Sequence, residues 1–317
     1  MFSMNSVRIK NPVAYLLLKL VVLVLIVVLL DRAIGSILRH YYFRQVSGMA
    51  YRTTYSIDST KADLLVFGSS RANHHYHPDV FMEGLPYSYY NVGRDGSYNL
   101  YHYAVLRSVL KRYKPKAILL EFGREEFRKS PVGYERLSVL LPYYKDHPEI
   151  REIVQMRSGT EQLKLAASAI YPFNSSMFSI AIGNAEINRK RRGDYFGYVP
   201  LDKQWPKPIQ DEGPVAAYEI DSLSVWAYES FLRDCKAAGT PVIVLCSPYF
   251  MRSTSADTSM QIGKEIAAKL SVPFLDYAQD PYFLERRELF SDMLHLNDEG
   301  AKQYSSRVIG KIRPLLR

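Results

Sequence analysis

The sequence contains very little cysteine: two residues, Cys235 and Cys246, in a chain of 317. Two thiols cannot form a disulfide framework or a four-ligand zinc site, which excludes the small disulfide-rich and zinc-finger classes. Cys235 falls in a helical pattern and Cys246 at the end of an apolar strand pattern. We therefore expect both to pack as small hydrophobic residues, and they indicate little about the redox compartment.

The chain also lacks internal repeats, low-complexity segments and any helix-turn-helix, zinc-finger or RNA-binding signature. Nucleic acid is therefore not an expected partner, although the net charge is +9. That charge favours a membrane surface or another anionic partner. Hydrophobic residues make up 47% and charged residues 23%, which allows a sizeable core and excludes global disorder.

One long apolar run is present, over residues 12–30 (PVAYLLLKLVVLVLIVVLL). Roughly 20 such residues cross a hydrocarbon core, and the single charge, Lys19, is close enough to one end to reach the headgroups. A cleaved signal peptide is the alternative, but the run is too long and charge follows it in DRAIGS. We predict a transmembrane anchor over residues 1–31. Basic residues flank the run on both sides, so the positive-inside rule does not give its orientation.

Beyond a predicted stalk at residues 32–61, apolar strand patterns alternate with helical patterns. The strands are predicted at 62–68, 88–93, 116–123, 240–248 and 272–278, and the helices at 97–113, 225–239, 259–271 and 297–316. This alternation is typical of a parallel sheet with helices on both faces. We therefore predict that residues 62–317 form a five-stranded, flavodoxin-like α/β sandwich, interrupted by an insertion at about 124–214.

The first predicted strand ends in FGSSR, residues 67–71. Ligands of open parallel sheets bind beyond the carboxyl ends of the strands, so a serine here is placed for chemistry. A plain turn or helix cap is the simple alternative. Near the other end of the chain, SDMLHLNDEG places Asp292 three residues before His295. A histidine can take the proton of a serine hydroxyl, and an aspartate can orient the histidine.

Together these segments resemble the SGNH/GDSL hydrolase superfamily. They are most similar to its membrane-anchored, acyltransferase-like branch, which includes alginate-acetylation and teichoic-acid D-alanylation proteins. The resemblance implies that Ser70 is the nucleophile, His295 the base and Asp292 its orienting acid. It also implies an oxyanion hole formed by the N–H groups of Ser70 and of Gly93 in YNVGRDG. It covers most of the chain from about residue 62, apart from the insertion.

One block departs from that family. Glu125, in FGREEF, stands where the family often has an asparagine that donates to the oxyanion. An ionised glutamate only accepts hydrogen bonds and cannot stabilise an oxyanion. We therefore expect this departure to impair hydrolysis more than acyl transfer. Other donors that could take over are Arg71, Asn91 and Arg94. These three residues and Glu125 are the predicted substrate contacts.

The resemblance implies a serine-dependent O-acyltransferase or esterase that acts on a cell-envelope polysaccharide, with acetyl as the transferred group. It further implies an extracytoplasmic domain and a membrane-bound O-acyltransferase partner. The serine mechanism requires no metal and no cofactor. The alternative is a non-catalytic envelope module that binds a glycan or a membrane partner. The missing asparagine favours this alternative, whereas the complete set of serine, histidine and aspartate opposes it.

Two further motifs have plain and functional interpretations. The histidines of NHHYHP could suggest a metal, but adjacent histidines do not share a helical face, and a supporting or surface role is favoured. The basic run Arg189–Arg192 is either a solvated loop or a contact for anionic headgroups or polymer. Tyrosine is abundant, with 25 residues, and most are expected to pack in the core.

Overall fold

The computed structural model describes residues 11–185, 195–213, 216–253 and 255–316. Its strands are β1 (Leu64–Phe67), β2 (Tyr89–Asn91), β3 (Ala117–Glu121), β4 (Gln210–Glu212), β5 (Val242–Cys246), β6 (Met251–Ser253) and β7 (Phe274–Asp276). Five of them form one sheet in the order β2-β1-β3-β5-β7, and every pairing in it is parallel. The predicted five-stranded parallel sheet is confirmed, and its strand order is that of flavodoxin-like sheets. The separate pairing of β4 with β6 was not expected from the sequence.

The helices cover both faces of this sheet. They are α1 (Pro12–Phe43), α2 (Gly48–Thr54), α3 (Ser70–His75), α4 (Pro78–Gly84), α5 (Asn99–Arg112), α6 (Pro131–Glu135), α7 (Arg151–Gln155), α8 (Glu161–Ala167), α9 (Met177–Asn184), α10 (Ser222–Ala238), α11 (Thr258–Lys269), α12 (Pro281–Leu284) and α13 (Asp298–Ile312). Residues of α5, α10 and α11 share one core cluster, and residues of α3, α4, α12 and α13 share the other. The three-layer arrangement is confirmed.

Alternation along β1 shows why both faces must be covered. Leu65 and Phe67 pack in the cluster with α5 and α10, whereas Leu64 and Val66 pack in the cluster with α13. Successive strand residues point to opposite faces, so a strand that is apolar at every position needs a helix layer on each side. The two cysteines are free and buried in the first cluster, as predicted.

Helix α1 contains the apolar run and, at 32 residues, is long and apolar enough to cross a membrane. It continues beyond residue 31 as far as Phe43. The predicted stalk packs against the rest of the chain. Two of its residues, Tyr42 and Ile57, are buried in the first core cluster.

The inserted segment between β3 and α10 contains α6–α9 and β4, joined by 3-10 turns at Arg136–Tyr143, Pro148–Ile150 and Tyr171–Ser176. It is bonded to α1. The Asp31 carboxylate accepts from the Ser168 hydroxyl at 2.5 Å and from the Ala169 N–H at 2.7 Å. The basic run Arg189–Arg192 lies outside the described residues.

Candidate active site

Ser70 is presented by a tight turn at the carboxyl end of β1. Gly68 has φ +141°, and a Cβ there would lie 2.7 Å from the Cβ of Glu121 on the neighbouring strand. Only glycine fits this conformation and this close approach. The chain therefore turns out of the sheet immediately, and Ser70 becomes the first residue of α3 at the edge where ligands of such sheets bind.

The three side chains that were predicted to act together are in contact. The Oγ of Ser70 lies 2.8 Å from Nε2 of His295, and Nδ1 of His295 lies 2.9 and 3.0 Å from the two Asp292 carboxylate oxygens. A carboxylate only accepts, so Nδ1 carries the hydrogen and Nε2 offers its lone pair to the serine hydroxyl. The predicted geometry between serine, histidine and aspartate is confirmed.

The Asp292 carboxylate is fixed by main-chain donors as well as by His295. Its Oδ1 accepts from the N–H of Leu294 at 2.7 Å and from that of His295 at 2.8 Å. Burial acts to raise the pKa of Asp292, but the hydrogen bond and charge of His295 and these N–H groups hold it below its ordinary value. The carboxylate is therefore ionised at neutral pH and can orient His295.

Gly93, the predicted oxyanion donor, lies beside this turn. A Cβ on Gly93 would be 2.8 Å from the Cβ of Ala72 in α3, and the next N–H, that of Arg94, donates to the carbonyl of Gly68 at 3.0 Å. The Gly93 N–H, however, donates to Oδ1 of Asn91 at 2.9 Å. This N–H has to exchange that partner before it can stabilise an oxyanion. The Ser70 N–H lies in the first turn of α3, where a helix supplies no acceptor.

The four predicted substrate contacts are held by protein partners. Arg71 is buried and forms an ion pair with Glu121 at 2.9 Å, and the amide of Asn91 donates to the Ala72 carbonyl at 2.6 Å. Arg94 donates to the Thr53 hydroxyl at 2.8 Å. Glu125 pairs with Arg128 at 2.6 Å. Their roles towards substrate stay predictions.

A buried polar network beneath the site was not expected from the sequence. Nδ1 of His75 donates to the Ser247 hydroxyl at 2.7 Å, and that hydroxyl donates to Glu121 at 2.7 Å. Arg71 donates to the same hydroxyl through Nε at 3.1 Å. The positions of two polar residues at strand ends could have revealed this network. Glu121 is the last residue of β3, and Ser247 directly follows β5. His75 is neutral, since burial lowers its pKa well below its ordinary value.

The other two histidines of NHHYHP are buried as well, so the surface interpretation is wrong for all three. Nδ1 of His74 lies 2.6 Å from the Val199 carbonyl, and its ring meets that of His295 edge-on at 5.5 Å between centroids. Nε2 of His77 lies 3.7 Å from Asp298. The three rings have different hydrogen-bond and charge partners, and two of them, those of His74 and His75, meet the ring of His295 edge-on.

No family model matches the sequence. No curated protein matches it either. One similar solved structure is described as "a putative acylhydrolase" from Bacteroides fragilis NCTC 9343. It has a TM-score of 0.41 and 12% sequence identity, and the match covers 85% of this chain and 98% of that chain. The functional assignment therefore depends on the side-chain geometry.

Proposed function

We propose that this protein catalyses acyl transfer or ester hydrolysis through an acyl-enzyme on Ser70. The observation that carries the proposal is the continuous contact from the Ser70 hydroxyl through His295 to Asp292. A serine hydroxyl is a weak nucleophile until a neighbouring base takes its proton. Nε2 of His295 is that base, because Asp292 holds the hydrogen on the opposite nitrogen.

The proposed reaction has two halves. In the first, Ser70 Oγ attacks the acyl carbonyl, its proton passes to His295, and the leaving alcohol takes that proton as the ester bond breaks. In the second, a water or sugar hydroxyl gives its proton to His295 and attacks the acyl carbon of the Ser70 ester. The bond from that carbon to Ser70 Oγ then breaks, and His295 returns the proton to Oγ, which restores the serine. The N–H groups of Ser70 and Gly93 are the proposed donors to the tetrahedral oxyanion, with Gly93 exchanging its bond to Asn91.

We further propose that α1 anchors the chain in a membrane as a single span and that the α/β domain is extracytoplasmic. The apolar length of α1 supports the anchor. The resemblance to the membrane-anchored SGNH branch supports the location, a cell-envelope polysaccharide as the substrate, acetyl as the acyl group, and a membrane-bound O-acyltransferase as the partner. Acetyl content of the surface polysaccharide, measured with and without the gene, tests this part.

A second candidate function is a non-catalytic envelope module that binds a glycan or a membrane partner. Two observations favour it. The Gly93 N–H is already bonded to Asn91, and the side chain at the position of the family asparagine, Glu125, is paired with Arg128. Such a module has no chemical need for the serine–histidine–aspartate contacts, and for that reason we place it second.

Trapping the acyl-enzyme distinguishes the two functions. The purified chain is incubated with an activated acetyl ester and quenched in acid, and the peptide that contains FGSSR is analysed by mass spectrometry. We expect acetyl on Ser70, loss of the adduct in Ser70→Ala, and its retention in the matched variant Ser69→Ala. An unmodified Ser70 peptide in the folded wild-type chain supports the binding module instead.

A further inference from the structure

A cavity of about 590 Å³ lies between α1 and the inserted segment. None of Ser70, Asp292 and His295 lines it. One wall is formed by α1 from Arg32 to Arg39, and the others by residues from 141 to 173. It is therefore separate from the candidate active site.

The cavity wall carries basic side chains. Four of its lining residues are Arg32, Arg39, Lys145 and Arg151, and no carboxylate is among the lining residues in the part of the chain that the structure describes. Two of these charges are paired with carboxylates just outside the lining, Arg39 with Asp146 and Arg32 with Asp31, the latter at 3.6 Å. The Arg151 guanidinium donates to the main-chain carbonyls of Tyr144 and Lys145, at 3.0 and 2.8 Å, so these contacts leave its charge uncompensated. An anionic group is the ligand that this charge favours.

The same segment combines this charge with apolar surface. Leu141 and Phe173 are buried side chains that line the cavity. Outside it, Leu163 and Phe178 are 70% and 79% exposed. Basic side chains next to exposed large apolar side chains are typical of protein surfaces that lie in the headgroup region of a membrane.

The cavity lies at the height along α1 where the headgroup layer of a membrane is expected. The apolar run ends at Leu30, so at about 1.5 Å per residue Arg32 is about 3 Å and Arg39 about 14 Å further along the helix. The polar layer on each side of a hydrocarbon core is roughly 5–8 Å thick. If α1 spans a membrane, the cavity begins within the headgroup layer.

We propose that this cavity binds the phosphate headgroup of an anionic membrane lipid, with the basic side chains on the phosphate and the apolar wall against the glycerol and upper acyl chain. The inference rests on the proposed membrane anchor but not on the chemistry of Ser70. Free inorganic phosphate is also an anion, so charge alone does not distinguish it from the lipid headgroup. The apolar wall and the position at the end of the apolar run favour the lipid.

Native mass spectrometry of the full-length chain in neutral detergent tests the proposal. Phosphatidylglycerol and phosphatidylcholine with the same acyl chains are titrated in competition. We expect phosphatidylglycerol to be retained preferentially. The double variants Lys145→Gln with Arg151→Gln, and Arg32→Gln with Arg39→Gln, should each weaken its retention roughly 30-fold, at about fivefold per basic residue. The two pairs lie on different walls, so a folding defect in one leaves the other informative.

The matched control is Lys236→Gln with Lys269→Gln, which removes two charges from α10 and α11, helices that contribute no lining residue. It should retain the lipid like the wild type. Equal retention of both lipids, an equal loss in the control, or displacement of the lipid by inorganic phosphate overturns the proposal. Displacement by an anionic polysaccharide instead indicates a glycan site and also overturns it.

Extraction of membranes with alkaline carbonate separates this result from the proposed anchor. A chain that stays in the membrane but shows no lipid preference contradicts the lipid site alone. A chain that carbonate releases contradicts the anchor. Acetylation of Ser70 is measured independently of both.

Discussion

The main-chain N–H of Leu296 donates a hydrogen bond to Nε2 of the buried His75, across 3.0 Å. Leu296 directly follows His295, so this bond ties the loop of the candidate base to α3, the helix that begins with Ser70. His75 therefore holds the two halves of the site together without touching a reacting atom. The nearby bond from the Phe250 N–H to the Met293 carbonyl, at 2.9 Å, fixes the other side of the same loop.

Replacing His75 should slow acylation of Ser70 by displacing His295. We expect His75→Ala to lower the acylation rate by about 10²-fold, because a displacement of about 1 Å is enough for such a loss. His75→Gln keeps an acceptor for the Leu296 N–H and should recover part of the rate. Single-turnover acylation of both variants checks this. If the alanine variant is folded and acylates at the wild-type rate, His75 does not position the base.

Glu125→Asn should leave ester turnover unchanged. The Glu125 side chain is paired with Arg128, and its main-chain N–H donates to Asp257 at 3.0 Å. Its φ of +54° is in the left-handed region, which asparagine adopts readily, so the variant should fold. Turnover of a model acetyl ester is the measurement. A gained oxyanion donor would instead raise the rate by about 10²–10³, and such a rise would show that position 125 reaches the reacting oxygen.

The half-buried carboxyl of Glu126 predicts a pH-dependent stability. Burial raises the pKa of Glu126 from an ordinary 4.5 to about 7. The folded state therefore binds the proton more tightly, and stability is lost as the pH rises from about 4.5 through 7. Glu126→Gln keeps an acceptor for the Gly123 N–H, which lies 3.1 Å from the carboxylate.

We expect Glu126→Gln to raise the Tm relative to wild type at pH 8 and to leave it unchanged at pH 4. Thermal unfolding at both pH values is the measurement. The control Glu265→Gln removes an exposed carboxylate from α11 and should change the Tm equally at both. A stabilisation by Glu126→Gln that is the same at pH 4 and pH 8 contradicts the assigned cause.

The proposed orientation can be tested with a single introduced cysteine. Both natural cysteines are buried and should not react with a membrane-impermeant maleimide. Lys311→Cys, on an exposed position of α13, should react in spheroplasts without lysis, whereas Ser6→Cys before the anchor should react only after lysis. The reverse pattern would place the α/β domain in the cytoplasm.

Much of the fold could be predicted because apolar runs such as Leu64–Phe67 have few ways to be buried. A short strand that is apolar at every position needs a parallel sheet covered on both faces. The pairing of β4 with β6 could not be predicted. Gln210–Glu212 is polar and gives no strand pattern, and its partner Met251–Ser253 is only three residues long.

The same contrast holds within the site. Ser70, Asp292 and His295 could be predicted because their residue types and local spacing carry the chemistry. The network of His75, Ser247 and Glu121 could not, because it depends on which strands are neighbours. Only the order β1-β3-β5 brings the end of β3 and the residue after β5 beneath α3.

Labelling with a serine-reactive fluorophosphonate tests the central claim most directly, because the probe reacts only with a serine that a neighbouring base activates. We predict that the wild-type chain is labelled at Ser70, that Ser69→Ala is labelled at the same rate, and that Ser70→Ala and His295→Ala are not labelled. A folded wild-type chain that stays unlabelled, or labelling that persists in Ser70→Ala, would contradict the account.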